Sequence, residues 1–179
     1  MEKECRALLR ELNVPLCAEV WEETPKRMAK SLQFLTSGYS QKLEEVVSNA
    51  IWEEDTGEGL VLVKDIEFYS LCEHHMLPFY GVVHIGYIPD NRVVGLSKLP
   101  RIVEMYARRL QLQERLTLQL LGAIEKSLSP LGAAVMVQAH HLCMKMRGVE
   151  NQKSSTTTAL YAGELRKPHR QAEFLHLTR

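Results

Sequence analysis

From residue 60 onward the chain changes texture in a set order, and that order narrows the fold more than any other feature. Two β-rich runs come first, LVLVKDIEFYSL (60–71) and FYGVVHIGYIP (79–89), with Pro89-Asp90-Asn91 as a turn. Two runs with apolar residues at helical spacing follow. One covers 97–110 through Leu99, Ile102, Val103 and Tyr106; the other covers about 113–129 through Leu116, Leu120, Ile124 and Leu128. Pro130 and Gly132 end the second. A long strand over about 133–147, a shorter one over about 155–163 and a helix around Arg170–Leu177 complete the pattern. Two hairpins joined by a helix pair predict an α+β fold: an antiparallel four-stranded sheet with helices on one face.

Residues 1–55 read as a helical extension to a domain spanning 56–179. Leu8, Leu9 and Leu12 form one helical stripe. Thr24-Pro25 predicts a helix start, because Thr caps well and Pro at the first helical position loses only an amide already unpaired. Met28, Leu32 and Leu35 would line its buried face, and Gly38 would stop it. Ser40 is expected to cap a third helix through Ala50, with Leu43, Val46 and Val47 inward. WEEDTGEG (52–59) reads as a loop.

Twenty-two basic and 22 acidic residues cancel over the 179 positions, which argues against a general nucleic-acid or membrane-surface binder. The zero is uneven: residues 41–68 carry eight acids and two bases, and residues 145–179 carry seven bases and three acids. No run approaches the roughly 18 to 20 apolar residues of a transmembrane helix. The opening MEKECRALLREL is too charged for a secretory signal. Cys5, Cys17, Cys72 and Cys143 are too few and scattered for a disulfide scaffold. A cytoplasmic, reduced chain is expected, in which grouped Cys and His point to metal or catalysis.

Two clusters carry such groups. Cys72-Glu73-His74-His75 follows the first strand, and Cys-x-x-His is half of many zinc sites. The second cluster is Ala139-His140-His141-Leu142-Cys143. If the strand continues to 147, His141, Cys143, Lys145 and Arg147 share one face. Cys72, one of His74 and His75, and Cys143 would make three protein ligands. That leaves a fourth position open, as in catalytic zinc, and frees the remaining histidines for proton transfer. A closed Cys2His2 structural site is the competing arrangement.

Charged and polar residues surround these blocks. Ser97-Lys98 opens a helix with Arg101 one turn on, and a helix N-terminus with such residues suits an anion. Arg147 follows the second cluster, and Arg27 and Lys30 share a helix face. Gln113-Glu114 starts a helix. These residues either complement its dipole or meet the hydrogen-bonding edge of a planar ring. Ser154–Thr158 would be a hydroxyl-rich strand that contacts a ligand or pairs within the sheet.

Together, Leu71–His75, GLSKLPRIVEMYARR (95–109), QERLT (113–117), HLCMKMRG (141–148), TPKRMAK (24–30) and the Ser154, Thr156, Thr158 pattern resemble the signature blocks of the GTP cyclohydrolase I family over roughly 24–177. The resemblance implies the T-fold, or tunnelling fold, for which β-β-α-α-β-β is the expected order. It implies Zn2+-dependent conversion of GTP and water to formate and 7,8-dihydroneopterin triphosphate, the first step toward tetrahydrofolate or tetrahydrobiopterin. Carried over by position, Cys72, His75 and Cys143 would hold Zn2+, and His74 and His141 would be the acid/base histidines. Glu114 would read the guanine edge with help from Gln113. Ser97, Lys98, Arg101, Arg147, Arg27 and Lys30 would bind ribose and triphosphate. The family's sites lie between subunits, usually in a decamer of two stacked pentamers. The chain departs from the family at Leu16–Trp21, where an arginine- and glycine-containing stretch is expected. A zinc-stabilised interaction protein without turnover, and a T-fold enzyme acting on a pterin or deazapurine, are the alternative functions.

Overall fold

The computed structural model describes residues 1–13, 15–55, 57 and 59–179. Its N-terminal helices α1 (Glu2–Glu11) and α2 (Ala18–Leu35) pack together. A 3-10 turn at Ser37–Ser40 and a short α3 (Leu43–Val47) follow. Then come β1 (Ile51–Glu53), β2 (Val61–Cys72), β3 (Pro78–Ile88), β4 (Arg92–Val94) and α4 (Lys98–Ala107). The remainder is β5 (Leu110–Gln111), α5 (Gln113–Leu128), β6 (Gly132–His141), α6 (Leu142–Lys145), β7 (Thr156–Gly163), a 3-10 turn at Glu164–Arg166 and α7 (Pro168–Leu177).

The main sheet has the order β5-β2-β3-β6-β7. Its four long strands are antiparallel, as expected, and two-residue β5 adds a parallel partner at the end of β2. Helices α4 and α5 cover one face. Leu99, Ile102, Val103, Leu116, Leu120, Ile124 and Leu128 are all within 1% of full burial and meet Phe68, Phe79, Val83, Ile85, Val135 and Val137. This is the helical spacing read from the sequence, cashed out as one core. The C-terminal helix goes to the opposite face, where Phe174 packs with Ile88, Ala134, Met136 and Leu165. Alternation along β6 explains both cores: Val135 and Val137 face one way, Ala134 and Met136 the other.

Several local expectations are corrected. Helix α2 starts at Ala18, not at Thr24-Pro25, so Pro25 lies inside it. A proline there removes the hydrogen bond to the carbonyl four residues back. That carbonyl belongs to Trp21, and Arg6 of α1 donates to it at 3.1 Å. Gly38 does not stop α2, which ends at Leu35. It sits in the 3-10 turn, where a Cβ would meet the Met105 carbonyl oxygen at 1.9 Å, so glycine allows the extension to close on α4. The helix expected over 40–50 shrinks to α3, because Ser48 turns left-handed (φ 51°) and Ile51–Glu53 pair with β4. Trp52 and Glu53 are therefore strand, not loop, while Thr56 and Glu58 of the acidic stretch lie outside the described residues. Finally, the strand expected to reach 147 ends at His141. Its β7 partner stops at the Ala139 pair and its β3 partner at the Phe79 pair. With no partner left, the chain turns into α6.

Candidate active site

The end of β2 folds back on itself. Cys72 donates its N–H to the Leu77 carbonyl at 2.9 Å, and its own carbonyl accepts from Met76 at 2.8 Å and His75 at 3.3 Å. This tight turn brings His75 Nδ1 within 3.8 Å of Cys72 Sγ. Cys143 arrives from α6 rather than from the strand. One ligand atom from each of Cys72, His75 and Cys143 lies within 4.8 Å of the other two. Cys72 is buried, Cys143 half-buried and His75 exposed. Two thiols and one imidazole at this spacing fit a borderline-soft divalent cation such as zinc, and three protein groups leave an open coordination position. Burial pushes the Cys143 thiol up from its ordinary pKa, and the neighbouring Cys72 adds to this. His74, exposed in the same turn, has its ring 6.1 Å from His75 and perpendicular to it.

The turn is tied to β5 and α5. Glu73 N–H donates to the Gln111 carbonyl at 3.0 Å. Arg115 forks onto both Glu73 carboxylate oxygens, with one of the two bonds at 3.1 Å. That guanidinium holds the Glu73 carboxyl below the usual carboxylate range.

His141, the last residue of β6, does not share a strand face with Cys143, as the continuous strand had implied. Its ring stacks on Phe79 of β3, with centroids 4.7 Å apart. Its Nε2 lies 2.8 Å from Gln113 Oε1. Burial lowers the His141 pKa, against a smaller upward pull from Glu114. Gln113 is buried, and Glu114 is exposed beside it. Glu114 lines a cavity of about 280 Å³ with Thr117, Thr158, Ala159 and Leu160. Thr158 thus faces both this cavity and the Gln113 amide, 3.2 Å away.

All but one of the cationic residues sit elsewhere. Ser97 is the residue flanking the start of α4, with no capping hydrogen bond from its side chain. Lys98 donates to the Val46 carbonyl at 3.0 Å. Lys98 and Arg101 line a pocket of about 300 Å³ with Gln41, Glu45, Val46 and Glu104. Arg27 and Lys30 line another with Met1, Glu2, Glu23 and Lys26. Arg147 is exposed in the bend after α6, close enough to Cys143 to pull its pKa down. The fold therefore gathers Cys72, His75 and Cys143, and couples His141 to Gln113. It does not bring the cations and Glu114 into one pocket within a single chain. Phe79, Arg115 and Thr117 were given no role by the sequence reading, although Arg115 and Thr117 lie inside the QERLT block. Phe79 could have been found from strand register opposite His141.

The whole chain, residues 1–179, matches the family model described as GTP cyclohydrolase I. The GTP cyclohydrolase 1 of Methylococcus capsulatus is 53% identical over 178 residues, 99% of this chain and 96% of that one. A Pseudomonas aeruginosa protein named GTP cyclohydrolase 1 2 is 49% identical over 180 residues, covering 100% of this chain and 99% of its own. The Parabacteroides distasonis GTP cyclohydrolase 1 is 50% identical over 155 residues, 87% of this chain and 79% of that one. An apo crystal structure of the archaeosine synthase QueF-Like superposes with a TM-score of 0.49 at 21% identity, covering 60% of this chain and 97% of that one. A match that runs from the first residue to the last, through both thiol–imidazole blocks, identifies the chain as a member of the GTP cyclohydrolase I family.

Proposed function

We propose that the chain is a zinc-dependent hydrolase that opens GTP at C8, releases formate and forms 7,8-dihydroneopterin triphosphate. The carrying observation is the convergence of Cys72, His75 and Cys143 within 4.8 Å in a member of this family. Zinc held by these residues would supply Lewis acidity and, through its open position, an activated water for attack at C8.

The chain's own residues do the rest. Glu114, an acceptor-only carboxylate when ionised, suits the N–H edge of guanine. His141 and His74, the latter in the turn beside His75, share the proton transfers: protonation of N7 as the imidazole ring of the base opens, and those that accompany the second hydrolysis, ribose opening and ring closure. Imidazole fits this repeated work because its charge changes near neutral pH. Lys98, Arg101, Arg147, Arg27 and Lys30, with the Ser97 hydroxyl, hold ribose and triphosphate.

In one chain Arg27 and Lys30 line one pocket and Lys98 and Arg101 another, and neither shares a residue with the Glu114 cavity. A homo-oligomer that completes each site from neighbouring copies resolves this, and we take it to be a decamer of two pentamers. Sheet edges support the ring. Among the described residues no strand pairs with the outer edge of β7, and β5 covers only Leu71 and Cys72 of β2. Head-to-tail pairing of two such edges closes a cyclic assembly. No described helix is long and apolar enough to cross a membrane. The free thiols of the metal cradle suit a reducing, cytoplasmic compartment.

Purified, zinc-replete protein incubated with GTP and then oxidised should give a fluorescent pterin. Turnover of a pterin or deazapurine substrate with none of GTP would overturn the reading.

A further inference from the structure

We infer that Gln113 is the positioning residue of His141, holding its ring in one orientation with its Nδ1 edge turned away from the amide. This rests on the reading of His141 as a proton-transfer group. It differs from the guanine contact that the family resemblance implies for Gln113.

The hydrogen bonds around Gln113 leave its amide one orientation. Its Nε2 lies 3.0 Å from the Val137 carbonyl, 3.0 Å from the Thr156 carbonyl and 3.2 Å from Thr158 Oγ1. Carbonyls only accept, so the nitrogen end of the amide must face β6 and β7. Oε1 then faces His141, and His141 Nε2 donates to it across 2.8 Å. The hydroxyls extend the same logic. Thr117 Oγ1 donates to the Gln113 carbonyl at 2.8 Å. Its 2.6 Å contact with Thr158 Oγ1 is therefore donated by Thr158, whose oxygen shares the two Gln113 amide hydrogens with the Val137 and Thr156 carbonyls. Reversing any member leaves a buried donor facing a donor, or an acceptor facing an acceptor, and such a group is costly when unpaired.

Two restraints thus act on one ring. Phe79 sets its plane, with the two rings 2° from parallel, and Gln113 sets its rotation within that plane. Gln113 is 2% exposed, and both amide hydrogens are spent on protein acceptors. It has no donor left for a base. It is also the first residue of α5, directly before Glu114. The residue that orients the imidazole therefore also anchors the helix end carrying the proposed base-reading carboxylate.

The test uses the full-length protein, wild type and Gln113→Leu, loaded with zinc and studied by crystallography, metal analysis and GTP kinetics. We expect zinc content to be unchanged and KM for GTP to stay within about threefold. The kcat should fall by ~10²-fold, the scale of a lost acid/base contribution. The His141 ring should be rotated or split over two orientations while Phe79 stays in place. An unmoved ring overturns the inference, as does a raised KM with kcat intact, which would mark a base contact. If wild-type protein forms no pterin from GTP, the functional reading fails, and the ring orientation in the variant still decides this inference. Thr158→Val removes one amide partner and keeps the shape of the side chain. It should give a smaller kcat loss in the same direction, about threefold, and no loss there with a fixed ring would also overturn the inference.

Discussion

His141 lies face to face on Phe79, with ring centroids 4.7 Å apart, because the β3–β6 register places the two residues opposite each other. Phe79 is fully buried, so a core aromatic directly supports a group at the mouth of the site. Phe79→Leu should keep zinc and cost about 1 kcal/mol of stability, the scale of an aromatic pairing contribution. It should lower kcat more than it raises KM. Denaturant midpoints and GTP kinetics on the same preparations check this. Unchanged turnover with the expected loss of stability would mean that the stack is structural only.

Cys143 reaches the candidate metal cradle from α6, a single helical turn, and completes the one such Cys/His group among the described residues. Cys143→Ser should lose zinc during purification and show no pterin formation. Metal analysis of purified wild type and variant decides the point, and equal zinc in both would reject the ligand set.

Arg115 grips Glu73, the residue between Cys72 and the two histidines. Cutting that fork frees the turn from α5 without touching a ligand. Arg115→Met should weaken zinc binding by ~10-fold, the lower end of what outer-shell changes cost metal sites. Competition with a zinc chelator measures this. Glu73→Gln, which keeps one acceptor, should fall between wild type and Arg115→Met.

His84 gives the fold a pH dependence away from the site. It is 1% exposed, its Nδ1 accepts the Asp65 N–H at 3.3 Å, and its Nε2 has no hydrogen-bond partner among the described residues. Burial lowers its pKa, outweighing the raising effects of Asp65 and Gln138; Lys64 also lowers it. The unfolded chain therefore binds a proton that the folded chain resists, so stability falls as pH drops through the ordinary histidine value of 6.5. Melting temperature should decline between about pH 7.5 and about pH 5.5, a range that brackets free histidine. His84→Gln should flatten that decline. An identical slope in both proteins would remove His84 as its source.

The architecture was readable from residue 60 because periodicity reports burial, and Leu116, Leu120, Ile124 and Leu128 are buried as their spacing implied. The N-terminal half was harder. The Pro25 signal was outweighed by Arg6, a partner outside the local window. Ser48 and the β1–β4 pairing cut short a helix whose apolar spacing was sound. The grouping of Cys72, His75 and Cys143 was legible because few residue types bind metal. The Gln113 network was not. Its partners at Val137, Thr156 and Thr158 lie 24, 43 and 45 positions away, and only the folded sheet brings them together. A formal charge of zero could not reveal the cations either, since within one chain Arg27 and Lys30 line one pocket and Lys98 and Arg101 another.

The most direct test supplies zinc-replete protein with GTP carrying an isotopic label at C8. The account predicts labelled formate released in step with the pterin, one for one, and neither product from Cys143→Ser. GTP consumed with the label retained in the purine, or pterin formed without labelled formate, would contradict it.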